Sequence, residues 1–475
     1  MKSTDTTDTN SAKGEKPARG LNRVLGLKAL IAVGVGLIVS QGIMAQMLMG
    51  VGIAGLGFFI PLTIAFLVAL TYVASFSELS LMFPKAGGFS TYTKFALGHF
   101  PALLGTYSGY VVVAMFAVPT ELLLVDLLFD AVYPGVFTPM VLGCSVLALF
   151  TLLNIIGVDI FARVQTILAF TMIVSLAILG LTATSGIPDG RLVSETLWTN
   201  WNPTGVDVFA LVTLALWGFV GAEFICPLAE ETLSPEKNIP RSMFLSVSII
   251  FAVFVAYCLG AIFYVPTATL LGSPLPHVHY AKAVFGDLGL IFVAVAGLTA
   301  VCSTVNTTLA AVPRMLYGMA CDGQALPIFA RLHGRYHTPW VAIVFMACVI
   351  GLPLTFLSAD NIGEMLISAA LCWLFAYLIA HFNVIALRIR FPTMARPYKS
   401  PFYPWPQILG IVGISYALIH GSPTPEMAAS VYGNAIGVLF LVSVCSFVWI
   451  KFVMKKDLFS PSPLDIDIEI DKDQA

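Results

Sequence analysis

Apolar runs of about 20 residues, separated by short polar or Pro/Gly-rich breaks, repeat along almost the whole chain, and each is long enough for a helix to cross a bilayer core. They fall at 28–52, 58–82, 101–130, 138–157, 163–184, 206–231, 243–265, 286–320, 339–357, 363–388, 405–421 and 430–453. The pattern predicts an all-α polytopic membrane protein with twelve transmembrane helices, and the even count places both ends on one side. Residues 1–24 are polar and 455–475 acidic, and both read as disordered tails. Spans 1–5 then occupy 25–184, spans 6–10 occupy 206–390, and spans 11–12 occupy 405–454.

Two runs are interrupted where a continuous helix is expected. In span 1, the stretch from Val33 to Ile43 holds Gly34, Gly36, Ser40 and Gly42, which weaken a helix near the expected bilayer midplane. Lipid offers no partner for freed peptide groups, so a gap is tolerated only where protein or a polar cavity takes them over. One reading is a broken helix whose bare backbone binds a ligand; the other is close helix packing through small residues. Span 6 carries a second such stretch, Leu216 to Glu223 with Gly218 and Gly221, five spans on and therefore crossing in the opposite direction. Paired gaps in oppositely directed halves point to a transporter site between two repeats.

Composition narrows the class. The 475 residues are 58% hydrophobic and 11% charged, with a mean hydropathy of +0.91, whereas soluble domains are about 25% charged. A net charge of −2 without a basic domain argues against a nucleic-acid partner. The eight cysteines lack paired zinc-type spacing and read as apolar filler without disulfides. The first run is too long for a signal-peptide core and reads as a retained span. Of the 24 lysines and arginines, all but Arg191 and Lys282 fall on the side of the tails, which puts both termini on the cytoplasmic face of a multi-pass protein of the cytoplasmic membrane. No His-Glu-x-x-His, Gly-x-Ser-x-Gly, Cys-x-x-Cys or Gly-Lys pair occurs, so neither an enzyme nor an ATP-driven pump is expected, and no cofactor is called for.

Several stretches resemble one family. Ser40-Gln41-Gly42-Ile43 sits at the first gap, and Phe83-Pro84-Lys85-Ala86-Gly87-Gly88-Phe89-Ser90-Thr91-Tyr92 follows span 2. Phe219-Val220-Gly221-Ala222-Glu223, Ala229-Glu230-Glu231-Thr232 and Ser234 to Arg241 accompany span 6. Pro313-Arg314-Met315 and Asp322-Gly323-Gln324-Ala325-Leu326-Pro327 close span 8, and Arg396-Pro397-Tyr398 and Pro404-Trp405-Pro406 precede span 11. In this order they resemble the amino acid–polyamine–organocation permeases over roughly residues 25 to 410. The resemblance implies spans 1–5 and 6–10 as a five-plus-five inverted repeat with helices 1 and 6 broken. It also implies the transport of an amino acid or related amine by alternating access. A membrane sensor that keeps this fold and binds without transporting is the second reading.

Local chemistry suits such a substrate. A restarting helix presents unsatisfied N–H groups and a positive dipole end, so the amides of Ser40, Gln41 and Gly42 are candidates to hold a substrate carboxylate. The carbonyls of Ile38, Trp217 and Val220, before or within the gaps, are candidates to accept from an ammonium, and these positions match the family's ligand-holding backbone. The Trp217 ring offers either a face to the amine or simple packing. Thr120 and Glu121, which follow Pro119 in span 3, are further candidates to meet the substrate, and Glu121 has three readings: a partner for a substrate amine, a coupled-proton site, or a buried structural acid. Glu223 matches a family acid and is the second proton candidate. Asp126 reads as solvated and Glu78 as paired with a basic loop residue. His277-x-His279 reads as solvated loop with no metal, His381 as hydrogen-bonded packing, and Gly105-x-x-x-Gly109 as close packing. Some proton-coupled relatives carry a lysine in span 5; Met172 is read at that place, which puts that coupling in doubt. Ser303 and Thr304 offer hydroxyls as a weak sodium site. Pro313 and Cys321 replace a usual serine and arginine, leaving Arg314 and Asp322 for the inner gate. Partners are thus the substrate, a proton, sodium ion or counter-substrate, and the lipid bilayer.

Overall fold

The computed structural model describes residues 23–136, 138, 140–192, 201–355, 362–422 and 425–463. Every regular element among them is helical; the nearest approach to a strand is an isolated bridge between Leu25 and Thr232. Eight helical stretches are long and apolar enough to cross a membrane, and four shorter apolar helices, Leu27–Ile38, Val141–Ile156, Trp340–Thr355 and Trp405–Ile419, stand beside them. In chain order the α-helices begin α1 Leu27–Ile38, α2 Gln41–Ala54, α3 Phe59–Met82, α4 Phe89–Ala96, α5 His99–Thr106, α6 Val113–Val132, α7 Val141–Ile156 and α8 Val158–Ser185. They continue as α9 Val212–Trp217, α10 Pro235–Tyr264, α11 Thr267–Gly272, α12 Pro276–Phe285, α13 Leu288–Cys321, α14 Trp340–Gly351, α15 Ile362–Arg390, α16 Trp405–Ile419 and α17 Pro425–Val448.

The first helix breaks at two residues. Val39 (φ −90°, ψ 98°) and Ser40 (φ −109°, ψ 169°) are extended, and Ser40 caps α2 by accepting from the Ile43 amide at 3.3 Å. Gly34 and Gly36, expected to be part of the interruption, lie inside α1. Their role is close approach: a Cβ on Gly34 would stand 2.6 Å from the Ser246 hydroxyl of α10, and one on Gly36 would clash with Gln165 of α8 and Ser303 of α13. The sixth run breaks after α9. Residues 218–221 form a turn in which Gly221 has φ +131°, a conformation open to glycine, and the chain resumes as a 3-10 stretch, Ala222–Glu231, rather than an α-helix.

Helix α8 packs one face on α1, α10 and α13 and leaves the other, with Ile167, Phe170 and Leu181, exposed. Gly180 lets its backbone meet α10, since a Cβ there would stand 2.7 Å from the carbonyl carbon of Ala256. A polar seam runs through the same region: Gln165 donates to the Ala32 carbonyl (3.1 Å) and to Ser303 (2.6 Å) and accepts from Asn306 (2.9 Å), which in turn accepts from Asn154 (2.9 Å).

The charged pairs gather at one end of the bundle. Arg314 of α13 grips Glu231 through Nε (2.5 Å) and Nη2 (3.1 Å), both side chains buried. Glu78 of α3 is paired, as expected, with Arg388 (2.7 Å) and Arg396 (3.2 Å), and it also accepts from the Ser400 amide. Lys94 pairs with Asp322 at 2.6 Å, and the Ala86 amide donates to Glu230 at 2.8 Å. Residues 455–463, expected to open a disordered tail, instead lie against α4 and α5: the Phe100 amide donates to the Leu458 carbonyl, the Ser462 amide donates to the Lys94 carbonyl, and the Phe100 and Phe459 rings meet at 5.4 Å. Residues 1–22 and 464–475 lie outside the described residues.

Arg314→Met leaves the Glu231 charge buried and unpaired, so it lowers stability by about 3–5 kcal/mol in detergent melts, and adding Glu231→Gln restores part of the loss. Equal melting of the wild type and the single variant would show that the pair contributes nothing.

Candidate functional site

Both breaks open on one cavity of about 40 Å³, space for a few water-sized groups. Ile38 and Ser40 from the first break and Trp217 and Val220 from the second line it, joined by Glu121 of α6. The breaks touch: a Cβ on Gly221 would lie 3.0 Å from Leu37 and 3.3 Å from Ile38. A cavity shared by two interrupted helices is the arrangement that frees backbone groups without exposing them to lipid.

Glu121 is buried and joins α6 to the start of α2. One carboxylate oxygen accepts from the Ser40 hydroxyl (2.6 Å) and the Gly42 amide (3.1 Å); the other accepts from the amides of Gln41 (2.9 Å) and Gly42 (3.2 Å). In an unbroken helix the Gln41 and Gly42 amides would bond the carbonyls of Leu37 and Ile38; here they serve Glu121. Two of the three amides expected to receive a substrate carboxylate, those of Gln41 and Gly42, are therefore occupied by the protein's own, and Ser40 meets it through its hydroxyl. Gly42 is required for this fit, because a Cβ on it would stand 2.6 Å from Glu121 Oε1. Gln41 and Gly42 do not themselves line the cavity, and the Gln41 side chain turns to the Leu124 carbonyl (3.0 Å). Thr120 is also off the cavity and donates to the Phe116 carbonyl at 2.7 Å.

Glu223 secures the second break. Trp373 Nε1 of α15 donates to it at 2.8 Å, the Tyr377 hydroxyl donates through a short hydrogen bond, and that hydroxyl also accepts from the Gly221 amide at 3.1 Å. Tyr72 of α3 stacks on Tyr377 and donates to the Phe219 carbonyl at 2.5 Å. Glu223 is buried and does not line the cavity.

The remaining expectations divide. Thr304 lines the cavity with a buried hydroxyl that has no hydrogen-bond partner among the described residues, whereas Ser303 is engaged by Gln165. The α8 side chain that reaches α1 is thus Gln165, seven positions before Met172. His277 is not a solvated loop residue: it is fully buried on α12, with Nε2 3.4 Å from the side-chain Nε2 of Gln41. Among the described residues, no cluster of three or more His, Cys, Asp or Glu side chains is placed to hold a metal. His381 contacts Ser75 at 3.0 Å, and Asp126 is half-buried, accepting from the Gly143 amide at 3.4 Å.

The aromatic wall of the cavity was missed. Tyr110, Phe224 and Trp373 join Trp217 there, with ring centroids 5.3–6.3 Å apart between neighbours. Phe224 was within reach of sequence reasoning, since it adjoins Glu223 at the second gap. Tyr110 and Trp373 sit in apolar runs with nothing local to separate them from packing residues, and Tyr110 lies in a π-helical turn, Tyr107–Val112, that periodicity did not suggest.

Comparison with known proteins agrees with this frame. A family model described as amino acid permease matches residues 25–451. The chain is similar to the serine/threonine exchanger SteT of Bacillus subtilis, at 25% identity over 414 residues that cover 84% of this chain and 91% of the exchanger. It is also similar to the branched-chain amino acid permease BcaP of the same organism, at 25% identity over 83% of this chain and 86% of the permease. The human large neutral amino acids transporter small subunit 2 is 24% identical over 80% of this chain and 72% of the transporter. Family and relatives are transporters, not enzymes. The chain belongs to the amino acid permeases of the amino acid–polyamine–organocation superfamily, and it is a multi-pass membrane protein.

Proposed function

We propose that this permease is a secondary active transporter that moves an amino acid or related amine across the cytoplasmic membrane by alternating access. The observation that carries the reading is the meeting of the Val39–Ser40 and 218–221 breaks at one cavity. In this reading α1–α2 and α9 with its 3-10 flanks are spans 1 and 6 of twelve. Residues 25–184 and 206–390 are inverted repeats, 405–454 are appended, and both termini are cytoplasmic. Ile38, Ser40, Glu121, Trp217 and Val220 meet the substrate; Gln41 and Gly42 act through Glu121, and Thr120 supports its helix. That the similar proteins are named exchangers, permeases and transporters favours movement over sensing.

For coupling, Glu223 is the better proton site, because it ties the second break to α15 without facing the substrate. The titratable groups around it are Tyr72, Tyr110, Cys226 and Tyr377, with no basic side chain among them. Exchange against a counter-substrate is the alternative driver. Sodium is disfavoured at Ser303, where the Gln165 N–H group already stands between the hydroxyl and the Ala32 carbonyl.

Purified protein in liposomes is expected to accumulate or exchange at least one of radiolabelled L-serine, L-leucine and ethanolamine, with saturation. Saturable binding without movement would replace the transport reading by the sensor. Glu223→Gln is expected to flatten the pH dependence of uptake while substrate affinity stays within about threefold; an unchanged pH profile would remove it as the proton site. Gly42→Val, whose side chain displaces Glu121, is expected to weaken binding by about tenfold or more in protein that still inserts; wild-type affinity would show that the α2 start is not part of the site.

A further inference from the structure

The substrate class can be narrowed, on the transport reading above, by asking which charges the cavity already holds. Both Glu121 oxygens accept from backbone amides, which can only donate, and the Ser40 hydroxyl completes the set, an arrangement that favours the carboxylate form. Glu121 forms no ion pair among the described residues, and no lysine, arginine or histidine lines the cavity. A buried negative charge without a counter-cation is unfavourable, and a second carboxylate brought beside it adds like-charge repulsion. An amino acid whose carboxylate took the Gln41 and Gly42 amides would have to evict Glu121 from them and leave it beside aromatic and aliphatic walls.

A cation faces none of these obstacles. Glu121 presents its carboxyl group to the cavity, and Tyr110, Trp217, Phe224 and Trp373 line the space with aromatic rings, whose faces attract an ammonium group. Tyr110 and Thr304 each hold a buried hydroxyl without a hydrogen-bond partner among the described residues, two acceptors for ammonium protons beyond the carboxylate. Glu223, the other acid nearby, is turned to Trp373 and Tyr377 off the cavity, so the space presents one negative charge and not two. Most of the remaining wall is aliphatic.

The geometry points to a monoamine without a carboxylate as the substrate: Glu121 fills the place that an amino acid's carboxylate would take on the Gln41 and Gly42 amides, and pairs with the ammonium group. The rest of the ligand is small and lies among the rings.

The test ranks six compounds by thermal stabilisation of the full-length purified protein at pH 7: L-valine and isobutylamine, L-leucine and isoamylamine, L-serine and ethanolamine. Each pair differs by one carboxylate. The best-bound compound is expected to be an amine, by about tenfold over its own amino acid, and Glu121→Gln is expected to lose that preference. Glu121→Ala, which frees the amides, is expected to shift the ranking towards the amino acids. A wild-type protein that binds an amino acid best, or that no amine stabilises, overturns the proposal, and so does an amine preference kept in Glu121→Gln. The wild-type ranking decides the matter if the variants fail to fold. Failure of the best-bound amine to cross liposome membranes would count against transport but not against the cavity's choice of ligand.

Discussion

A peptide group inside a bilayer must find its hydrogen bond within the protein, and the centre of this molecule is arranged around that requirement. Opening a helix at Val39 and Ser40 removes bonds that lipid cannot replace. Ser40 restores one by capping, and Glu121, reaching across from α6, takes two amides more. At the second opening Tyr72 serves the Phe219 carbonyl and Tyr377 the Gly221 amide. The partners come from α3, α6 and α15, so two local breaks draw on distant elements and fix how those helices sit.

The same helices carry a second, separate layer of polar contacts towards the charged end. There the stretches that sequence resemblance singled out one by one prove to be mutual neighbours. The loop after α3 lies against α13 so closely that a Cβ on Gly318 would overlap the Gly87 backbone, and the stretch after the second break meets both through Glu230 and Arg314. A neutral seam, Gln165 with Asn306 and Asn154, ties α7, α8 and α13 together without a charged side chain.

Much of the helical frame was legible because hydrophobic length is a property of the sequence itself: the apolar runs located the long helices, although α10 begins eight residues before its run and the short α4, α11 and α12 lie in what read as connections. The two gaps were legible too, though glycine marked them imperfectly. Gly34 and Gly36 stay helical because their lack of a side chain is used for packing, while the break falls at Val39, which has no intrinsic reason to leave a helix. The partners of the gaps were not legible. Nothing near Glu121 in the chain says that it lies 80 residues from the amide it caps, and nothing near Tyr377 or Trp373 distinguishes them from other aromatics in apolar runs. His277 misled for the same reason: a Pro-rich neighbourhood suggested an exposed loop, and only the packing of α12 buries it.

The segment around Leu458 and Ser462 bears on how the molecule is assembled. Ser462 meets His99 across 363 positions of sequence, while α5, on which that segment rests, leaves the ribosome in the first quarter of synthesis. Contacts so far apart in the chain form late and slowly. The side of α4 and α5 that meets Leu458 and Ser462 therefore stays uncovered until translation has passed residue 462, so this part of the molecule completes its packing only at the close of synthesis.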